Sequence, residues 1–227
     1  MTCHRTNRIS SLNGLMLVLG LSLGIVGSQA WAQPLPETDA TFLEWLTGTS
    51  HNQDANEPPR IKRGGSEFCF VTFDDETVTP LWRDTPTFIL QGDMRSLALH
   101  REGRENPLWT YEANEAEAVT YDGTILLPGA VYVIHAQNPQ FPASDFEARQ
   151  FVLLSAERQV EIAFELSDLE TDMRNADASA EEIALARADY FWQQGLVADA
   201  WAEVMPLKAT SETVSEAINA AYERICS

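Results

Sequence analysis

The sequence predicts an α+β fold in which a small β-sandwich is followed by a helical segment. Between residues 67 and 154, short apolar runs alternate with turn-forming residues, which is the pattern of β-strands. From residue 155 onwards, apolar residues recur every three or four positions, which is the period of α-helices. We therefore divide the chain into residues 1–32 (signal peptide), 33–66 (mobile N-terminal segment and linker), 67–154 (β-sandwich domain) and 155–227 (α-helical domain).

The first 32 residues have the three parts of a secretory signal peptide. Arg5 and Arg8 form a basic start, residues 15–27 are apolar and uncharged, and Ala30-Trp31-Ala32 is a small-residue cleavage motif. We expect cleavage between Ala32 and Gln33, and a periplasmic or extracellular protein. A membrane anchor is disfavoured because a spanning helix needs about 20 apolar residues. No membrane span is therefore expected after processing.

The charge of the chain excludes two classes of partner. The sequence has 15 basic and 34 acidic residues, a net charge of −19. Cleavage after Ala32 would remove two arginines and no acid, so the net charge would become −21. Such a surface repels nucleic-acid phosphates and anionic lipid heads, so we expect neither partner. Solubility is the simplest reason for this acidity, and a cationic partner is the alternative.

Residues 33–66 predict little regular structure. One apolar run, Phe42-Leu43-Glu44-Trp45-Leu46, is compatible with a short helix capped by Asp39 or Thr41. Residues 51–65 (HNQDANEPPRIKRGG) have the proline, glycine and charge content of a linker. We expect this segment to be mobile.

Seven short strands are predicted in the sandwich domain. Their ends carry turn-favouring pairs such as Gly92-Asp93 and Asp122-Gly123. Seven strands in so short a segment indicate a two-sheet sandwich of immunoglobulin or fibronectin type III style, with Trp82, Trp109 and Tyr132 among its larger core side chains. The predicted strands are 68–73, 87–91, 95–101, 108–111, 118–121, 130–136 and 149–154.

Four helices are predicted after residue 155. Ser179 to Glu182 form a capping box that opens the second helix, which ends at Gly195. The third helix stops at Pro206, and residues 213–216 form a second capping box for the terminal helix. The first helix carries an apolar stripe on an otherwise acidic surface, formed by Ile162, Leu166, Leu169 and Met173.

The second and third helices have the spacing of a tetratricopeptide-like hairpin. Ala188, Phe191, Gly195, Ala200 and Val204 occupy its small, aromatic, turn-glycine, small and apolar positions. Only one degenerate unit is present, and a single unit cannot form the groove of a repeat array. The alternative is a hairpin that serves only to pack against the sandwich.

No catalytic, cofactor or metal motif stands out after residue 33. The histidines His51, His100 and His135 lack the spacing of a zinc site. The serines lack a nucleophile elbow, and no phosphate-binding glycine loop is present. Two acidic clusters, residues 74–76 and residues 112–117, lack calcium-loop spacing and are interpreted as solvated turns. We therefore expect a protein that is not an enzyme and has no cofactor.

Two cysteines, Cys69 and Cys226, would remain after cleavage removes Cys3. Thiols in an oxidising compartment tend to pair, so we predict a disulfide between them. This bond would hold the terminal helix against the first strand. The alternative is that Cys69 is a buried apolar residue and Cys226 a free thiol.

Several glycines, prolines and aromatic residues follow one another in a distinctive order. They are Gly64-Gly65, Cys69, Trp82, Pro86-Thr87-Phe88, Gly92, Trp109, Pro128-Gly129, Tyr132 and residues 188–201 (ADYFWQQGLVADAW). This order resembles a family of uncharacterised exported proteins, mainly cyanobacterial, that share a domain of unknown function. The resemblance covers residues 60–226 and implies a β-sandwich followed by a helical hairpin in the cell envelope. Since the family has no established activity, it implies no catalytic residue.

Three functions are compatible with these features. The first is a non-catalytic protein-interaction or structural module with an envelope protein or peptide as partner. The second is a carbohydrate-binding or cell-wall-binding sandwich, which would require Trp82, Trp109 and Tyr111 to be exposed in a row. The third is a hydrolase, which would require two carboxylates to converge in a cleft.

Overall fold

The computed structural model describes residues 40–49, 68–73, 77–112, 117–137 and 147–226. The described residues form two β-sheets and five α-helices, so the predicted α+β class is confirmed. The predicted signal peptide, its cleavage site at Ala32 and Gln33, the linker at 51–65 and the acidic turn at 74–76 lie outside the described residues. None of the helices in the described part is long and apolar enough to cross a membrane.

All eight strands of the described part of the chain follow α1 and precede the other four α-helices. The strands are β1 (Cys69–Phe70), β2 (Thr79–Leu81), β3 (Thr87–Gln91), β4 (Ser96–Arg101), β5 (Trp109–Glu112), β6 (Ala118–Thr120), β7 (Val131–Gln137) and β8 (Glu147–Leu153). The helices are α1 (Phe42–Thr47), α2 (Ala156–Asn175), α3 (Ala180–Gln193), α4 (Val197–Val204) and α5 (Glu212–Ile225), with a 3₁₀ helix at Met205–Ala209.

The two sheets enclose an apolar core. One sheet has the order β1-β3-β6, and the other has the order β2-β8-β7-β4-β5. Side chains alternate along each strand, so every second residue of β4 and β7 is buried between the sheets. The largest of the core side chains are Phe70, Phe73, Phe88, Tyr121, Tyr132 and Phe151.

Strand β2 was not among the seven predicted strands. It has only three residues, and its central residue is Pro80, which cannot donate a backbone hydrogen bond. Proline is tolerated because β2 lies at the edge of its sheet and pairs only with β8, in parallel. Paired residues of β2 and β8, such as Thr79 and Phe151, are 72 positions apart, so their pairing leaves no local signal in the sequence.

The helices cover the outer face of the smaller sheet. In β3, Phe88 and Leu90 point into the sandwich, whereas Ile89 between them belongs to the helical core. Cys69 and Val71 also belong to that core. The predicted sandwich and helical domains are therefore two layers that share the small sheet.

Helix α1 is part of the helical layer, so the mobile segment predicted for 33–66 does not extend over it. Thr41, one of the two predicted caps, is its N-cap. Asp189 of α3 accepts a hydrogen bond from the backbone N–H of Phe42 at 2.6 Å. Arg224 of α5 donates to the carbonyl oxygens of the last turn. The buried side chains of α1 are Phe42, Trp45 and Leu46.

The helix ends agree with the sequence prediction at α3 and differ at α5. The capping box of Ser179 and Glu182 is present, and Gly195 follows α3 with a left-handed φ of 73°. The N-cap of α5 is Ser211, whose hydroxyl accepts from the N–H of Val214. Residues 213–216 are therefore inside the helix, and the predicted second capping box is wrong. Ser211 is also a good N-cap residue, so the sequence offered two competing starts.

Candidate functional site

The sulfur atoms of Cys69 and Cys226 lie 1.99 Å apart in the structure, the distance of a disulfide bond. Cys69 is in β1 and Cys226 directly follows α5, so the bond joins the first strand to the last helix. Cys69 belongs to the helical core, and Cys226 packs against it. The pairing links the two elements in the structure, and its formation in the purified protein stays a prediction.

The two described histidines are neighbours on the outer face of the larger sheet. The ring centroids of His100 and His135 lie 4.7 Å apart. Partial burial lowers the pKa of His135, and the adjacent His100 lowers it further. Among the residues that the structure describes, no three His, Cys, Asp or Glu side chains are close enough to hold a metal ion.

The aromatic residues of the polysaccharide hypothesis lie in two separate places. Trp82 packs on Phe191 of the helical layer, with ring centroids 5.4 Å apart, and not in the sandwich core where it was expected. Trp109 and Tyr111 stack on each other at 5.9 Å at the edge of the sandwich, where both are half-buried. Trp82 therefore does not form a row with the other two rings.

Two carboxylates of α4 lie beside the segment that follows β2, and they bear on the hydrolase hypothesis. Asp199 and Glu203, one turn apart on α4, both form salt bridges with Arg83. Asp199 is only 2% exposed, and burial raises its pKa to about 6. Its two oxygens accept the backbone N–H groups of Trp82 and Arg83 at 2.8 and 3.2 Å. The Asp199 carboxylate thus holds the chain after β2 and is closed to a substrate.

Above this buried aspartate lies an open cleft with a volume of about 490 Å³. The segment after β2 forms one wall and the first turns of α2 form the other. The lining residues are Trp82, Arg83, Asp84, Thr85, Ala156, Gln159, Val160 and Ala163. We call this site the α2 cleft.

The two walls of the α2 cleft are joined by reciprocal hydrogen bonds. The indole Nε1 of Trp82 donates to the carbonyl oxygen of Gln159 at 3.0 Å. The side-chain Nε2 of Gln159 donates in return to the carbonyl oxygen of Trp82 at 2.9 Å. The guanidinium of Arg83 lies over the rings of Trp82 and Phe191. The cleft is therefore formed before any ligand arrives.

Two large apolar side chains are exposed beside the α2 cleft. Val160, which lines it, is 56% exposed, and Phe164, one turn further along α2, is 69% exposed. Residues four positions apart on a helix lie on one face, so Phe164 extends the apolar surface of the cleft. These residues were not predicted as functional. The sequence did contain a signal for them. Val160, Ala163 and Phe164 are apolar residues that lie outside the stripe of Ile162 and Leu166, and only the stripe is buried in the structure.

No protein-family model and no curated protein matches the chain. Among solved structures, the chain is similar to the structure of α-L-rhamnosidase from Dictyoglumus thermophilum, with 14% sequence identity and a TM-score of 0.29. The similarity covers 45% of this chain and 14% of that chain, so this chain spans a small part of the rhamnosidase's length.

Proposed function

We propose that the protein is an exported, non-catalytic module of the cell envelope that binds a protein or peptide partner through the α2 cleft. The observation that carries this proposal is the exposure of Val160 and Phe164 beside a cleft whose walls are already joined. The export signal at residues 1–32 supports the location, which is periplasmic or extracellular in this proposal.

The exposed pair supports binding because it is contiguous with a concave surface. Single exposed apolar residues are normal in soluble proteins, but contiguous apolar patches mark interaction sites. Val160 and Ala163 line the cleft, and Phe164 adds a large aromatic side chain at its rim. Aromatic residues in such positions contribute most to binding free energy at interfaces.

The topology of the sandwich supports an immunoglobulin-like or fibronectin III-like arrangement in this proposal. The consecutive strands β3 and β4 lie in different sheets, as do β5 and β6, and β6 and β7. At the start of β7, the hydroxyl of Tyr132 accepts the backbone N–H of Leu127 at 2.7 Å. A tyrosine in that corner with that hydrogen bond is a hallmark of immunoglobulin-type sandwiches.

The tetratricopeptide-like hairpin has a supporting role in the proposed site. Its small and aromatic positions, Ala188, Phe191 and Ala200, are fully buried. Phe191 packs under Trp82, and Asp199 holds the backbone of the same wall. The hairpin therefore positions one wall of the α2 cleft and presents no groove of its own in this proposal.

A carbohydrate-binding function is the second candidate, and it rests on Trp109 and Tyr111. Their rings stack with an interplanar angle of 19° at the edge of the sandwich. The indole Nε1 of Trp109 donates to Asp122 at 2.6 Å. A half-exposed aromatic pair next to a carboxylate is suited to a sugar ring, but it offers a much smaller surface than three rings in a row would.

A selection from a random peptide library displayed on phage tests the proposed function. The purified exported protein is the target, and the selected peptides are then measured against two variants. Phe164→Asp should weaken their binding by roughly tenfold or more, because it places a charge in the apolar contact. The matched control is Ile125→Asp, since Ile125 is 77% exposed on the loop before β7. The proposal is contradicted if no peptide is enriched, or if both variants bind the peptides as the wild type does.

A further inference from the structure

Helix α2 has three distinct faces. Ile162 and Leu166 point into the helical core and are buried. A second face lines the α2 cleft with residues that include Val160 and Ala163, and the exposed Phe164 lies one turn beyond Val160. At 3.6 residues per turn, a third face borders the second along its solvent side. That third face is acidic and consists of Glu157, Glu161, Glu165, Asp168 and Asp172.

The opposite wall of the cleft carries an exposed acid. This is Asp84, which lies next to Arg83. The charge of Arg83 is already paired with Asp199 and Glu203. Along α2, Arg158 pairs with Glu161 at 2.6 Å and with Glu165 at 3.9 Å. Within the described part of the chain, the other three acids of this face, Glu157, Asp168 and Asp172, form no salt bridge. The apolar floor of the cleft is thus bordered on both sides by negative charge.

The geometry of the cleft favours a helix as the occupant. The apolar and small residues of the second face extend from Ala156 to Ser167, a length of about 17 Å at 1.5 Å per residue. Small residues such as Ala163 allow the backbone of a second helix to approach closely. In the helix-in-groove mode, an amphipathic helix places its apolar face on a hydrophobic groove, and the apolar side chains of α2 offer such a surface.

We propose that the α2 cleft binds a partner segment that forms a basic amphipathic helix. The apolar side chains of that helix would pack on Val160 and Phe164, and its lysine and arginine side chains would lie over Asp84 and Asp168. This proposal rests on the proposed function and specifies the chemical class of the partner. It also gives the acidic surface of α2 a role in partner choice.

The test uses three synthetic peptides of about 18 residues, long enough for five helical turns. The first has apolar residues at helical spacing flanked by lysines, the second has the same apolar residues flanked by glutamates, and the third is a scrambled version of the first. Fluorescence anisotropy measures their binding to the full protein at low and high salt. The lysine peptide should bind roughly tenfold more tightly than either other peptide, and its affinity should fall as salt is added.

Charge-reversal variants then locate the effect. Asp84→Lys combined with Asp168→Lys should weaken binding of the lysine peptide by roughly tenfold and remove most of the salt dependence of that binding. The control is Glu216→Lys combined with Glu223→Lys, which changes the net charge equally at exposed positions of α5. The affinity of the control for the lysine peptide should stay within about twofold of the wild-type value. Circular dichroism should show added helix in the complex.

The possible failures are distinguishable from one another. If the glutamate peptide or the scrambled peptide binds as tightly as the lysine peptide, the proposal of a basic amphipathic helix is wrong. If library peptides still require Phe164 in that case, the proposed function stands while this inference falls. If no peptide of any charge requires Phe164, both fall together.

Discussion

At the residue scale, the central feature is a buried carboxylate that organises one wall of the α2 cleft. Asp199 accepts the backbone N–H groups of Trp82 and Arg83 and is almost fully enclosed. A buried polar group is tolerated only when its hydrogen bonds are made, and here two backbone donors supply them. The side chain of Arg83 adds an ion pair at 3.6 Å. Trp82, held in this way, then bonds to Gln159 across the cleft.

The raised pKa of Asp199 predicts that the stability of the protein depends on pH, and that the substitution Asp199→Asn removes this part of the dependence. Burial raises the pKa of this carboxyl to about 6 in the folded protein, so folding binds a proton that the unfolded chain releases at lower pH. The stabilising contribution of Asp199 is therefore fully present below about pH 4 and is lost as the pH rises through about 6. Relative to Asp199→Asn, the wild type should lose about 2 to 3 kcal/mol of unfolding free energy across this interval.

Urea unfolding of both proteins at several pH values between 4 and 7.5 measures this difference. Comparing the two proteins cancels the titration of the other carboxyl groups that they share. Parallel pH profiles would show that Asp199 does not titrate in this range.

At the element scale, the α3–α4 hairpin depends on the left-handed backbone of Gly195. Its φ is 73°, which lies in the left-handed region that β-branched residues rarely adopt. The N–H of Gly195 donates to the carbonyl of Trp192 at 3.0 Å, which closes the turn between the helices. A disturbed turn would displace Phe191 and Asp199, which support the wall of the cleft.

Substitutions at Gly195 should therefore rank by backbone preference. Gly195→Val should lower the unfolding free energy by about 1 to 3 kcal/mol, because valine is strained at positive φ. Gly195→Asn should cost less, because asparagine enters the left-handed region more readily. Thermal and denaturant unfolding measure both. An equal loss for the two variants would show that the added side chain, and not the backbone, limits this position.

Local patterns predicted most elements, and the misses have particular physical causes. The apolar run of β3, with turn residues at its ends, predicted the observed bounds, and the Ser179 capping box predicted the start of α3. Strand β2 was missed because it is short and because a central proline such as Pro80 argues against a strand. The α2 cleft could not be predicted, because it joins Trp82 to Gln159 across 77 residues. A helical projection does show that Val160 and Phe164 lie outside the buried stripe of α2, but it cannot show that no other part of the protein covers them.

At the scale of the whole molecule, a covalent link and a shared sheet join the two layers. The small sheet contributes Phe88 to one core and Ile89 to the other. The bond between Cys69 and Cys226 closes a loop with a sequence separation of 157 residues. Chain-entropy estimates for a loop of this size reach about 5 kcal/mol. The disulfide therefore stabilises the layer that supports the α2 cleft.

Mass spectrometry of the chain that begins at Gln33 tests the disulfide. The protein is denatured without reductant, alkylated and weighed, and the experiment is then repeated after reduction. We expect no alkyl group before reduction and two afterwards, because each cysteine is occupied by the other. Two alkyl groups on the unreduced monomer would show that both thiols are free.

If the α2 cleft is the binding surface of the molecule, amide NMR of the ¹⁵N-labelled protein will locate a bound peptide there. Spectra are recorded with and without the peptide that binds most tightly in the library selection. We expect chemical-shift changes concentrated at residues 82–85 and in the first three turns of α2, and unchanged shifts for Trp109 and Tyr111. Changes concentrated at those two residues, with none in the cleft, would rule out the cleft and favour the edge of the sandwich as the binding site.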